Sequence, residues 1–322
     1  MKPPSSGRKG PPPDRAGTGP RGAFHGSRPK PVRPPETRPP SPRPEAAKPD
    51  RPILRAIAAP AAAPTRSDPP QQITRGQLRG AQAANAPKGT VWIYGLHAVA
   101  AALGNPNRRL RRLLLTEDAE ATLAAHAPPP WPLASERAER ARMDQMLGRD
   151  VVHQGIALLA DPLAPPALAQ VMERPGPLLV LDQVTDPRNI GAILRSAAAF
   201  GAAGVITQDR NAPEETGAMA RAASGALETV PLLRAVNLAR TLVALKAAGC
   251  WVVGLDAGGG KLDGAALAQR RVALVLGAED TGLRRLTRDT CDEVAGLRMP
   301  GGMESLNVSA AAAVALYELT RI

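Results

Sequence analysis

The chain has 322 residues and a formal net charge of +12, a length that suits about two domains plus a tail. The excess charge lies in residues 1–90, which carry 17 Lys/Arg against 5 Asp/Glu and leave 24 of each sign in the remainder. No apolar run reaches the roughly 18 residues of a membrane span. Cys250 and Cys291 form no CxxC pair and have no His cluster nearby, which argues against a zinc site or a disulfide framework and fits a reducing compartment.

Residues 1–88 are expected to be a disordered Pro/Arg-rich tail. Stretches such as Pro11-Pro12-Pro13 and Arg38-Pro39-Pro40-Ser41-Pro42 favour polyproline II and cannot bury a core. A cationic arm of this kind either attracts nucleic acid or serves as a solubilising tail, and both readings stand. The start Met1-Lys2-Pro3-Pro4 lacks the apolar core of a signal peptide, and the prolines prevent the amphipathic helix of a transit peptide. A cytoplasmic location is therefore expected.

Residues 89–161 read as a small α/β unit. Val91–Tyr94 is a strand, 97–103 a helix stopped by Gly104, 110–116 a strand, 135–147 a highly charged helix and 154–159 a closing strand. Residues 162–175, opening on Pro162, Pro165 and Pro166, read as a linker. From 176 to 322 short apolar runs at Leu178–Leu181, 204–207, 229–232, 250–254 and 272–276 alternate with helical stretches such as 236–248. This alternation predicts an α/β domain with a parallel sheet covered on both faces, whose ligands bind at the carboxyl ends of the strands.

Three segments in those positions carry chemistry. After the first strand comes Asp182-Gln183-Val184-Thr185-Asp186-Pro187-Arg188-Asn189, leading into a helix capped by Asp186 with Pro187 at its first position. Arg188 and Arg195, seven apart, share a face that could grip phosphate or could be a solvated face with surface ion pairs. The run Leu274-Val275-Leu276-Gly277-Ala278-Glu279 ends a buried strand in a turn where Gly277 permits close backbone approach and Glu279 offers a carboxylate. Last, Met299-Pro300-Gly301-Gly302 leads through Ser305-Leu306-Asn307 into an Ala-rich helix. Its N-terminus offers free N–H groups, unless Ser305 or Asn307 serves only as a cap.

No histidine follows position 161, which argues against Ser-His or Cys-His nucleophilic catalysis, and no P-loop motif is present. Asp256-Ala257-Gly258-Gly259-Gly260 has the look of a nucleotide-binding turn but lacks GxGxxG spacing, and it is read as a surface loop.

Together, the three ordered segments resemble the SpoU/TrmH class of SPOUT RNA methyltransferases: Asn189 with Arg195 matches the first motif, Gly277 with Glu279 the second, and Ser305 to Ser309 the third. Tyr94-Gly95-Leu96-His97-Ala98-Val99 and His153-Gln154-Gly155-Ile156-Ala157 are similar to the opening and closing of a ribosomal-protein-like RNA-binding domain. This pairing points to the RlmB-like branch, which methylates a guanosine of 23S rRNA; a tRNA ribose methyltransferase and a non-catalytic ribosome-assembly protein are the alternatives.

The resemblance implies a trefoil-knotted catalytic domain over 176–322, with S-adenosylmethionine as methyl donor near Gly277, Leu297 and Leu306. It also implies no metal, a homodimer with the RNA site near the subunit boundary, and a catalytic set of Arg195, Asn189, Glu279, Ser305 and Asn307. Asp280 stands where the class usually has Gly, and Leu297-Arg298-Met299 replaces Ile-Pro-Met. A free guanidinium titrates above about 12, so Arg195 is expected to hold phosphate and stabilise oxyanion character rather than act as a base.

Overall fold

A computed structural model describes residues 86–321; the tail expected over 1–88 lies almost wholly outside the described residues. The chain builds two sheets in succession. The first comprises β1 (Val91–Tyr94), β2 (Leu110–Leu115), β3 (Ser135–Arg137) and β4 (Ile156–Ala160), in the order β1-β4-β2-β3. Central β4 runs antiparallel to β1 and β2. Between the strands lie α1 (Leu96–Leu103), α2 (Glu117–His126) and α3 (Arg140–Leu147). Charged stretch 135–147, expected to be all helix, begins instead as β3, which pairs parallel with Leu113–Leu115 of β2 before α3 starts at Arg140. Its three side chains are exposed, so what holds it extended is the backbone pairing along the sheet edge rather than an apolar face.

After α4 (Leu168–Met172), the second sheet contains β5 (Leu178–Leu181), β6 (Gly204–Gln208), β7 (Leu232–Ala235), β8 (Cys250–Lys261), β9 (Arg271–Leu276) and β10 (Glu293–Gly296). All neighbours are parallel, in the order β10-β8-β9-β5-β6-β7. The helices are α5 (Pro187–Ala199), α6 (Gly217–Ala223), α7 (Leu238–Ala247), α8 (Gly264–Leu267), α9 (Arg285–Thr290) and α10 (Val308–Thr320). β5 and β9 are buried at almost every position, as strands covered on both faces must be. One core joins the inner face of this sheet to the first sheet, with Ile93, Leu96 and Val99 in the same cluster as Ile190, Met219 and Ala220.

Three strand expectations are corrected. The run 229–232, expected to be a strand, pairs only from Leu232 onward. A 3-10 turn (Ala226–Glu228) precedes it, the amides of Thr229 and Val230 bond back to Ala226, and Pro231 has no N–H to give a ladder. Strand β10 was not foreseen. β8, expected to end at Gly254, continues to Lys261, so the presumed surface loop at 256–260 is part of a strand that pairs again with β10 after a register shift. Among the described residues no helix is long and apolar enough to cross a membrane.

Candidate active site

The site lies at the carboxyl ends of β5 and β9, beside residues 255–257 midway along β8, where the strand order turns outward from β5 in one direction and β9 in the other. Beyond β5, Asp186 caps α5 by accepting from the Arg188 amide at 2.8 Å, with Pro187 at the first helical position. This cap starts the helix where Asn189 sits in the first turn, facing the neighbouring loop.

That loop, 277–284, is tightly closed. Ala278 and Gly282 exchange backbone hydrogen bonds of 3.2 and 2.9 Å, and Gly282 takes φ +63. A Cβ on Gly277 would overlap the Gly282 carbonyl and the Leu283 amide, so only glycine admits this closure. From below, the fully buried Asp182 carboxylate accepts from the Arg284 amide at 3.0 Å and its Nε at 2.6 Å, tying the end of the loop to the end of β5.

The turn presents Glu279 to the start of α10. One carboxylate oxygen, Oε1, accepts from Asn189 Nδ2 (3.1 Å), Asn307 Nδ2 (2.6 Å) and the Val308 amide (3.2 Å). Asn307 Nδ2 also lies 3.1 Å from Asn189 Oδ1. Capping and site-building meet in the one Asn307 side chain: its Oδ1 caps α10 through the amides of Ser309 and Ala310, while its Nδ2 faces Glu279. A carboxylate at a helix N-terminus is favoured by the aligned backbone dipoles.

Beside this cluster opens a cavity of about 230 Å³. Gly277, Glu279, Leu297, Ser305 and Leu306 line it together with Leu255, Asp256 and Leu276. Asn189, Gly277, Glu279, Leu297, Ser305, Leu306 and Asn307 therefore meet here; Arg188 belongs to neither the cluster nor the lining, and nor does Arg195. That residue is six positions beyond Asn189, about 9 Å along the helix axis at 1.5 Å per residue. It is exposed, and among the described residues neither its side chain nor that of Arg188 makes a hydrogen bond or ion pair.

Asp256, set aside on sequence grounds, is a wall of the cavity. It pairs with Arg288 and accepts from the Gly258 amide at 2.9 Å. Its signal was the acidic residue after an apolar strand, discounted because the glycines that follow lack GxGxxG spacing. Burial pushes the Cys291 thiol up to about 11, so it is protonated at neutral pH and unsuited to nucleophilic attack. Among the described residues no cluster of three or more His, Cys, Asp or Glu could hold a metal ion.

The profile of the SpoU rRNA Methylase family matches residues 176–317, and that of RNA 2'-O ribose methyltransferase substrate binding matches 92–166. The chain is 43% identical over 194 residues to the 23S rRNA (guanosine-2'-O-)-methyltransferase RlmB of Bordetella pertussis, covering 59% of this chain and 77% of that one. It is 38% identical over 241 residues to the RlmB of Salmonella typhimurium, covering 71% and 97%. Among solved structures, the SpoU methyltransferase AviRb from Streptomyces viridochromogenes, in complex with AdoMet, superposes with a TM-score of 0.61 at 24% identity, over 74% of this chain and 95% of that one. An AdoMet-bound rRNA methyltransferase from Sinorhizobium meliloti gives 0.58 at 22%, over 78% and 96%, and both likenesses bear on the fold. With the polar cluster and its cavity inside the 176–317 match, and with a relative 38% identical over 71% of the chain, the chain belongs to the SpoU rRNA methylase family.

Proposed function

We propose that the protein transfers a methyl group from S-adenosylmethionine to the ribose 2'-hydroxyl of a guanosine in 23S rRNA. The observation that carries this reading is the convergence of Asn189, Asn307 and the Val308 amide on one oxygen of Glu279, at the mouth of the cavity. The cavity suits that donor. Leu255, Leu276, Leu297 and Leu306 offer apolar walls for a purine, and the only charged side chains in the lining, Asp256 and Glu279, are acidic. Acidic groups favour a cationic sulfonium and repel the phosphates of a nucleotide cofactor.

The donor, when bound, supplies an electrophilic methyl group on sulfur. Everything else falls to the chain. Backbone around Gly277, with Leu297 and Leu306, holds the donor. Glu279, fixed by two amides and a helix N-terminus, orients the acceptor ribose together with Asn189, Ser305 and Asn307. A 2'-hydroxyl is a weak nucleophile, so in-line attack needs alignment and stabilisation of the growing alkoxide charge. Arg195, exposed and without a side-chain partner among the described residues, takes that role by holding the phosphate beside the acceptor.

Further parts of the proposal are a trefoil knot in the 176–322 catalytic domain, an RNA-binding domain over 89–161 joined by a linker at 162–175, and a cytoplasmic homodimer. Supporting the dimer, α10 leaves Val314 and Tyr317 47% and 57% exposed, with Phe200 edge-to-face against Tyr317. The test is transfer of radiolabelled methyl from S-adenosylmethionine to unmodified 23S rRNA and to tRNA, followed by nucleoside mapping. The expected product is 2'-O-methylguanosine in 23S rRNA; label in tRNA alone, or in neither, overturns the proposal.

A further inference from the structure

We infer that Arg108 is a positioning residue that docks the four-stranded domain onto the catalytic sheet in one register, and so sets where RNA is held relative to Asn189 and Glu279. This rests on the functional reading above.

Arg108 lies between α1 and β2, and its side chain is 0% exposed. It reaches across to the second sheet's connections. Nη1 is 2.5 Å from Glu215 Oε1, Nη2 is 2.5 Å from Glu228 Oε1, and Nε is 3.1 Å from Glu228 Oε2. Glu228 Oε2 also accepts from Asn105 Nδ2 at 2.8 Å, and the one remaining oxygen, Glu215 Oε2, accepts from the Leu163 amide at 3.0 Å. Arg108 further donates to the Asp161 carbonyl at 3.0 Å. Both carboxylates are at least nine-tenths buried, and burial pushes the Glu215 carboxyl above its usual range against the pull of Arg108.

Such a cluster is a poor source of stability, because taking charges out of water costs about as much as their attraction returns. It is an exacting source of register, because any sliding leaves a buried charge unpaired. A planar fork bound to two carboxylates leaves one satisfactory pose.

The surrounding seam is equally intolerant of displacement. A Cβ on Gly217 would overlap the Tyr94 ring and the Trp92 carbonyl, and one on Gly225 would lie 2.9 Å from Ala101 Cβ. Nor is the anchor remote from the chemistry. Glu215 ends the connection that leaves the carboxyl end of β6, and β6 pairs directly with β5, from whose carboxyl end Asn189 follows. The docking therefore fixes the RNA-binding domain against the same rim that holds the site.

The test uses the full chain and three variants: Arg108→Met, the charge-free triple Arg108→Met/Glu215→Gln/Glu228→Gln, and Gly217→Ala. Linked modules that lose their fixed geometry lose effective concentration, so KM for a 23S rRNA fragment should rise about tenfold or more. S-adenosylmethionine affinity by calorimetry should stay within about twofold, since the cavity is untouched. Hydrogen exchange should quicken in Gly217–Ala223 and Val91–Tyr94 while Arg271–Leu276 stays protected. Should Arg108→Met fail to fold, the triple variant, which buries no unpaired charge, carries the test. A folded triple variant with wild-type KM and wild-type exchange overturns the inference, as does a parallel loss of donor binding. Wild-type protein that methylates no RNA refutes the functional reading instead, and the docking is then judged by exchange alone.

Discussion

Replacing Glu279 separates its scaffolding from its chemistry, because only one of its two oxygens is engaged. Oε1 accepts three N–H groups, at 3.1, 2.6 and 3.2 Å, while Oε2 makes no hydrogen bond among the described residues. The residue is exposed, so water replaces part of what is lost, and each bond is worth about 0.5 kcal/mol, the low end of the range. Three such bonds, with about 0.3 kcal/mol from the helix terminus, give roughly 2 kcal/mol for Glu279→Ala. For a folded part of this size that lowers Tm by about 4–8 °C. In Glu279→Gln the amide oxygen takes the place of Oε1 and the NH2 that of Oε2, so Tm should move by only about 1–2 °C. Yet the NH2 cannot accept a ribose hydroxyl or a guanidinium, and kcat should fall about a hundredfold. Calorimetric melting and radiolabelled methyl transfer, run on both variants, read the two effects separately. Wild-type kcat in Glu279→Gln would show that the free oxygen does nothing, and an unmoved Tm in Glu279→Ala would show that the cluster holds nothing together.

Three further outcomes are expected. Arg195→Ala should lose methyl transfer by about a thousandfold or more, with Tm and donor affinity unchanged because the side chain is exposed and has no polar partner among the described residues; equal loss of donor binding counts against its role. Gly277→Ala forces its Cβ into the Gly282 carbonyl, so the 277–284 loop must open and donor affinity by calorimetry should drop about tenfold or more. Asp292, bound by Lys246 Nζ at 2.8 Å and the Val252 amide at 2.9 Å, has its carboxyl held below the usual range although burial opposes this. A depressed folded pKa contributes stability above the unfolded value and loses it as pH falls through the folded one. The Tm gap between wild type and Asp292→Asn should therefore be widest near neutrality and close below about pH 4; a constant gap refutes the linkage.

Where burial is two-sided, the fold was legible in the sequence: Leu178–Leu181 and Arg271–Leu276 are strands because an uninterrupted apolar run has nowhere to go but a covered sheet. The Asp186-Pro187 helix start was equally readable, since a side-chain acceptor and a fixed φ act locally. What escaped were elements held extended by distant partners. Ser135–Arg137 and Glu293–Gly296 lack a full apolar face and exist as strands because β2 and β8 supply a ladder. The segment after Asp256, read as a surface loop for want of GxGxxG spacing, is strand for the same reason, because β10 pairs with it. The order of the site residues was readable, but Arg195's separation from the rest was not, because motifs give sequence and not distance.

The double duty of Asn307 has a consequence for how the cavity breathes. Because its carbonyl end starts the last helix and its amide end clasps Glu279, withdrawing that backbone unravels a helical turn and releases a carboxylate in one motion. The cavity thus has an unyielding jamb on that side. Residues 298–303, largely exposed and without a backbone hydrogen bond to sheet or helix among the described residues, bring Met299 to the cavity and leave that side the easier one to displace.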